Sequence, residues 1–205
     1  MSYFKGGKVL DPLKMLDEFL KPEFLRQKLI QASVFIAVYE NFKSSIVDNV
    51  KYFYCIGFED GKELIRGYEE NVLSRVKSKN NRQIKATLLW YKEHGAISNQ
   101  DIEKFKTMTD LRNVLSHELL GKLVEGLPEN ILDVYFDMIA LFEKITKWWI
   151  MEIEVPTSPD FTPEQYDEMD WDDVSSVALE FIKMMTDIAF TGNEEYLEQL
   201  RKMKS

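Results

Sequence analysis

ASVFIAVYENFKSSIVDNV, residues 32–50, is the stretch that decides the fold. Ala32, Ile36, Tyr39, Ile46 and Val50, with Phe53 just beyond, fall on the spacing of three and four that one face of an α-helix requires. Phe35, Val38 and Phe42 broaden that face, and a stripe so wide belongs to a central helix packed on more than one side. Working back, Pro22 is a residue a helix accepts only in its first turn, so the helix is expected to open there and to reach Tyr52 or beyond.

On either side the same signals repeat. Asp11-Pro12 reads as an N-cap followed by a first-turn proline, opening a short helix over 11–20. Gly57, Gly61 and Gly67, with the turn pair Asp60-Gly61, mark 55–67 as either a short hairpin or an irregular excursion, and the excursion is favoured. Helices are expected over 68–76 and 82–94, with Gly95 as a C-cap, and over 99–120 with Ser98 as N-cap. After Gly126-Leu127-Pro128 comes another, 129–152, carrying Leu132, Tyr135, Phe136, Ile139, Phe142, Ile145 and Trp149. Pro156, Pro159 and Pro163 make a loop, and 164–190 and 193–202 are helical around Gly192. The fold class is all-α.

Composition bounds the partners. A 205-residue chain that is 45% hydrophobic can bury a core as one large domain. With Cys55 its one cysteine, it can form no internal disulfide and suits a reducing cytoplasm. No cationic start precedes an apolar run, and no stretch approaches the ~20 apolar residues of a membrane helix, so no membrane association is expected. A net charge of −9 argues against tight non-specific binding to nucleic acid, though not against brief contact through a local basic patch.

One segment breaks its own pattern. On a wheel of ~100° per residue, Ile102, Phe105, Met108, Leu111, Leu115 and Leu119 form the apolar arc of the helix that opens at Asn99. Arg112 falls inside that arc, where a guanidinium is costly unless it is paired or faces a polar cavity. Beside it lie Thr109 and Ser116, then Asn113 and His117, four apart and able to touch. The pattern leaves two readings open: a functional edge, or an interior arginine held by a carboxylate such as Glu40 on the long helix.

The run Asp110-Leu111-Arg112-Asn113-Val114-Leu115-Ser116-His117-Glu118-Leu119 resembles the signature of the HEPN superfamily: arginine, a polar residue, three more positions, then histidine. It lies late in an all-α chain, after a long apolar helix, and the resemblance covers about 22–152 of a single domain spanning 1–205. Residues 163–203 would be an additional helical extension. The resemblance implies a metal-independent endoribonuclease without cofactor, often a toxin or phage-defence effector. Such proteins act as homodimers, with paired motifs across a cleft and in some cases a cognate antitoxin or regulator. Where some members carry a modifiable tyrosine two residues past the histidine, this chain has Leu119, which counts against that arrangement.

The chemistry follows from the residue types. RNA carries its own nucleophile, the 2′-hydroxyl; a histidine can move the protons and an arginine can hold the phosphate. Arg112 and His117, with Asn113 orienting one or the other, are therefore the candidate catalytic set. Five positions on one helix separate Arg112 and His117 by ~140°, so a two-fold copy would have to complete the site. Arg75, Lys77, Lys79, Arg82 and Lys85 form the most basic stretch, either an RNA-facing rim or a solvated connector. Nothing points to a metal: the two histidines, His94 and His117, are unpaired in sequence, and the acids Asp167, Glu168, Asp170, Asp172 and Asp173 read as a helix start. Ser116 and His117 are helix neighbours that point apart, and Cys55 reads as a core thiol.

Overall fold

The structure is a computed structural model that describes residues 20–159, 161, 162, 169, 170 and 174–191, the last two by backbone alone. The helices expected over 11–20 and 193–202, and most of the acidic run from Asp167 to Asp173, lie outside the described residues.

The long helix is the axis of the molecule. Helix α1 spans Pro22–Phe53, with proline at its first position and Glu23 in its first turn. It buries Ala32, Phe35, Val38, Tyr39, Phe42, Ile46 and Val50, whereas Ile36 is half-buried and Phe53 exposed. Around it pack α2 (Arg82–Glu93), α3 (Asn99–His117), α5 (Ile131–Trp149) and α6 (Val177–Thr191), with the short α4 (Leu119–Glu125) between α3 and α5. Phe42 stacks on Phe142 at 4.7 Å and meets Phe105 edge-on at 5.6 Å, which locks α1, α3 and α5 around one aromatic centre. Helix α6 joins this core through Leu179 and Ile182, and Lys183 reaches Glu143 on α5 at 3.1 Å.

Residues 55–67 differ from the favoured excursion: they are a hairpin. Strands β1 (Cys55–Glu59) and β2 (Lys62–Ile65) pair antiparallel, with Glu59 opposite Lys62. Asp60 and Gly61 both have positive φ, 50° and 73°, so the turn twists in the sense the strands need. Lys51 pins the hairpin to the end of α1 through Glu63 at 2.6 Å. Cys55, half-buried in β1, donates its thiol hydrogen to the Gly57 carbonyl rather than sitting in the core.

Other boundaries shift by a turn or more: of the helix expected over 164–190, residues 169, 170 and 174–176 are not helical, and α6 opens only at Val177. Residues 68–76 hold only the turns Tyr68–Asn71 and Leu73–Arg75. The expected 99–120 helix stops at His117, where Glu118 leaves helical geometry and α4 starts afresh. Helix α5 runs through a π-helical turn, Ile150–Glu154, into Val155–Thr157. On α5 the buried face is Ile131, Val134, Tyr135, Met138, Leu141, Phe142, Ile145 and Trp149, while Leu132 and Phe136 face out. On a 100° wheel Leu132 and Phe136 fall on the flank that also carries Asp133, Asp137, Glu143 and Lys147, so they are the apolar residues left facing out. No helix among the described residues is long and apolar enough to cross a membrane.

Candidate functional site

Helix α3 is held in place before it carries any chemistry. Ser98 Oγ accepts from the Asp101 amide at 3.2 Å, and Asp101 accepts from the Ser98 amide at 2.8 Å, a closed capping box. Lys144 of α5 adds a 2.7 Å bridge to the same carboxylate. Burial raises the Asp101 pKa, but hydrogen bonds from Lys144 and from Ser98 outweigh it and hold the carboxyl below its usual range. A turn further on, Lys104 reaches Asp137 at 2.7 Å. The anchored helix buries Phe105, Met108, Leu111 and Leu115 against α1 and α5, and this fixes where its opposite edge points.

That edge runs from half-buried to exposed along Thr109, Arg112, Asn113, Ser116 and His117. Thr109 donates to the Phe105 carbonyl at 2.9 Å and shares a 2.8 Å hydrogen bond with the Tyr39 hydroxyl. Burial pushes the Tyr39 phenol up, against the opposing pull of Thr109 and Arg112, so it stays protonated at neutral pH. The Arg112 guanidinium lies over the Tyr39 ring, 5.9 Å from its centre, and ion-pairs through Nη2 with Glu40. Its Nη1 donates to Asn113 Oδ1 at 3.2 Å. Its Nε is buried with no hydrogen-bond partner among the described residues.

The Arg112 pairing is the one the interior-arginine reading expects. The carboxylate is Glu40, yet the pair is not sealed: the two side chains are 29% and 38% exposed. Arg112 and Asn113 line a cavity of about 370 Å³ between α1, α2 and α3. Tyr39, Ile84, Leu88 and Phe105 are apolar parts of its lining, and Lys43, Lys85, Lys106 and Asp110 are its other charged parts. A more polar cavity of about 650 Å³ adjoins it and shares Lys43, Asn81 and Ile84.

His117 is not part of this constellation. It ends α3, fully exposed, and does not line the Arg112 cavity. Asn113, which in sequence could orient either group, is bonded to the arginine. Rotation of ~140° and a rise of ~7.5 Å over five residues carry the imidazole away from the guanidinium.

The basic stretch divides. Arg75 grips Glu93 at 2.6 Å, and Arg82 pairs with Glu69 at 2.7 Å while its Nε donates to the Leu73 and Val76 carbonyls. These two arginines fasten the connector before α2. Lys77, Lys79 and Lys85 are exposed, and among the described residues no carboxylate lies within ion-pair distance of them. Lys79 lines the larger cavity and Lys85 the smaller, so this stretch and the Arg112 edge, distant in sequence, meet at one groove.

Tyr39, Lys43, Asn81 and Lys106 join the site without having been singled out. Lys106, Thr109 and Asn113 share one helix face, a spacing that could have flagged the lysine. Asn81, in the left-handed region at φ 51°, is brought in by backbone geometry that carries no sequence signal. His94 is structural, stacked on Trp90 at 4.0 Å with Nδ1 2.7 Å from the Trp90 carbonyl oxygen. Among the described residues no cluster of histidine, cysteine and carboxylate groups could hold a metal ion. Compared with family models, curated proteins and solved structures, the chain matches none.

Proposed function

We propose that the protein is a metal-independent endoribonuclease of the HEPN type, acting in the cytoplasm as a homodimer in a toxin or antiviral role. One observation carries the reading: a solvent-reachable arginine with an unpartnered buried donor, set among lysines at a cavity wall on the same helix edge as an exposed histidine. Dimerisation is supported by apolar surface next to that histidine. Leu120 and Val124, one turn apart on α4, are both exposed. A second copy packed there would bring its own His117 toward the first copy's Arg112. An antitoxin or other regulator could act by covering the same groove.

In the reaction, the 2′-oxygen of one nucleotide attacks the adjacent phosphorus and the bond to the 5′-oxygen breaks. A His117 imidazole takes the 2′-proton, and a second, protonated, supplies one to the leaving 5′-oxygen. Arg112, aligned by Glu40 and Asn113, stabilises the added negative charge on the phosphoryl oxygens. The products are a 2′,3′-cyclic phosphate and a 5′-hydroxyl. RNA incubated with the purified protein and a chelator should be cut to these ends. Arg112→Ala and His117→Ala should each lose the activity with the fold intact, and undiminished cleavage by either variant refutes the assignment.

A second reading has its own observation. Glu40 already engages Arg112, and His117 stands outside the cavity, an arrangement that also suits a HEPN-like module that binds RNA or a nucleotide without cutting it. A groove that binds RNA but leaves it intact would decide for this reading.

A further inference from the structure

The cavity beside Arg112 has a chemistry that the phosphate-gripping role does not use. Its apolar lining is Tyr39 and Phe105, whose rings lie 5.7 Å apart and tilted by 38°, with Leu88 and Ile84 from α2. Three lysines and Arg112 outnumber the one acid in its lining, Asp110; Lys43 and Lys106 have Glu40 and Glu103 at 3.7 and 3.8 Å, while Lys85 has no carboxylate within ion-pair distance among the described residues. Two carboxamides, Asn81 and Asn113, are also in the lining, each able to present a donor and an acceptor to a polar ring edge. At about 370 Å³ it lies at the small end of the range for small-molecule sites, roughly 300–1,000 Å³.

An inorganic anion would use the lysines and leave the apolar lining bare, and an apolar ligand would leave the lysines, Arg112 and the carboxamides unanswered. A molecule with a flat heteroaromatic ring on one side and a phosphate on the other answers all three. We infer that this cavity is a nucleotide subsite. One base enters between the Tyr39–Phe105 pair and the Ile84–Leu88 pair, its edge read by Asn81 and Asn113, and its phosphate is held by Lys85, Lys106 and Arg112. The inference rests on the RNA-facing reading of this groove and deepens it: the base beside the gripped phosphate is chosen by this cavity, while the adjoining cavity, with Lys43 and Lys79, takes the neighbouring backbone.

The test is calorimetric titration of the whole protein with the four nucleoside 5′-monophosphates, with ribose 5-phosphate and inorganic phosphate as probes lacking a base. At least one mononucleotide should bind tenfold or more tightly than ribose 5-phosphate, and one base should be preferred. Lys85→Glu with Lys106→Glu, both exposed, should weaken that binding at least tenfold. Ile84→Phe, which grows into the cavity, should abolish it; circular dichroism checks the fold of each variant, and the lysine pair tests the idea even if Ile84→Phe does not fold. Absence of mononucleotide binding at millimolar concentration overturns the inference, as does binding no tighter than that of ribose 5-phosphate or unchanged by the lysine substitutions. RNA cleavage without mononucleotide binding sinks the subsite and spares the nuclease. Mononucleotide binding without cleavage does the reverse.

Discussion

The two ends of α2 are built into opposite surroundings. At one end, Trp90 touches Phe53, Tyr91, Trp148 and Trp149, and its indole nitrogen donates to the Tyr54 hydroxyl at 3.2 Å. The space is filled, and even a histidine, His94, is used as a flat packing surface. At its other end, α2 with α1 and α3 leaves a hollow beside Arg112, lined by Lys43, Lys85 and Lys106 together with Asp110. A chain that can pack aromatics so closely at one end has the means to close the other. The contrast separates a histidine stacked on a tryptophan from an exposed one, and an arginine that ties down a connector from one at a cavity wall.

The comparison can be broken most forcefully at its packed end. Trp90→Ala should cost about 3–5 kcal/mol in chemical denaturation, because a fully buried ring leaves a cavity. Arg112→Ala belongs to the other class. Its loss of cleavage should be on the order of 100-fold or more, as when one charge-stabilising donor is deleted. Its unfolding free energy should change by only about 1 kcal/mol or less, since a partly exposed ion pair contributes little. A large stability loss with no kinetic effect would place Arg112 with the packed end.

Smaller effects sharpen the picture. Ser98→Ala should destabilise by about 1 kcal/mol through loss of the α3 cap. Asp101 adds a pH signature. Its folded pKa lies below the unfolded value, so its contribution is present above about pH 4 and disappears as pH falls through the folded value. Lys144→Met should reduce that acid loss in a urea-denaturation series, and an unchanged acid limb would show that the Lys144 bridge does not hold the carboxyl down. Glu63→Gln, which cuts the hairpin's bridge to Lys51, should have the smallest effect on stability, and a smaller one still at high salt, read by urea denaturation.

Several of these features were legible in the residues themselves. The 3–4 spacing in 32–50 gave α1, Ser98 gave the α3 cap, and the lone cation in the α3 apolar arc marked the edge that borders the cavity. The hairpin is legible in 55–67 only as the less favoured of two alternatives, although two adjacent residues tolerant of positive φ, Asp60-Gly61, are what a tight β-turn needs. The α5 face was half-missed because Leu132 and Phe136 are as apolar as the side chains that went inward, although they share a flank with Asp133, Asp137, Glu143 and Lys147.

What the sequence determined alone is local: helix period, first-turn prolines, caps, and the presence of a charge where an apolar residue was due. These depend on residues a few positions apart, which is the range over which a helix couples its side chains. What only the tertiary structure decided is who meets whom. Glu40 rather than a distant phosphate faces Arg112 in the single chain, Glu93 and Glu69 take up Arg75 and Arg82, and Lys85 arrives beside Asn113. Such meetings are set by how helices cross, and residues that share a cavity need share nothing in sequence.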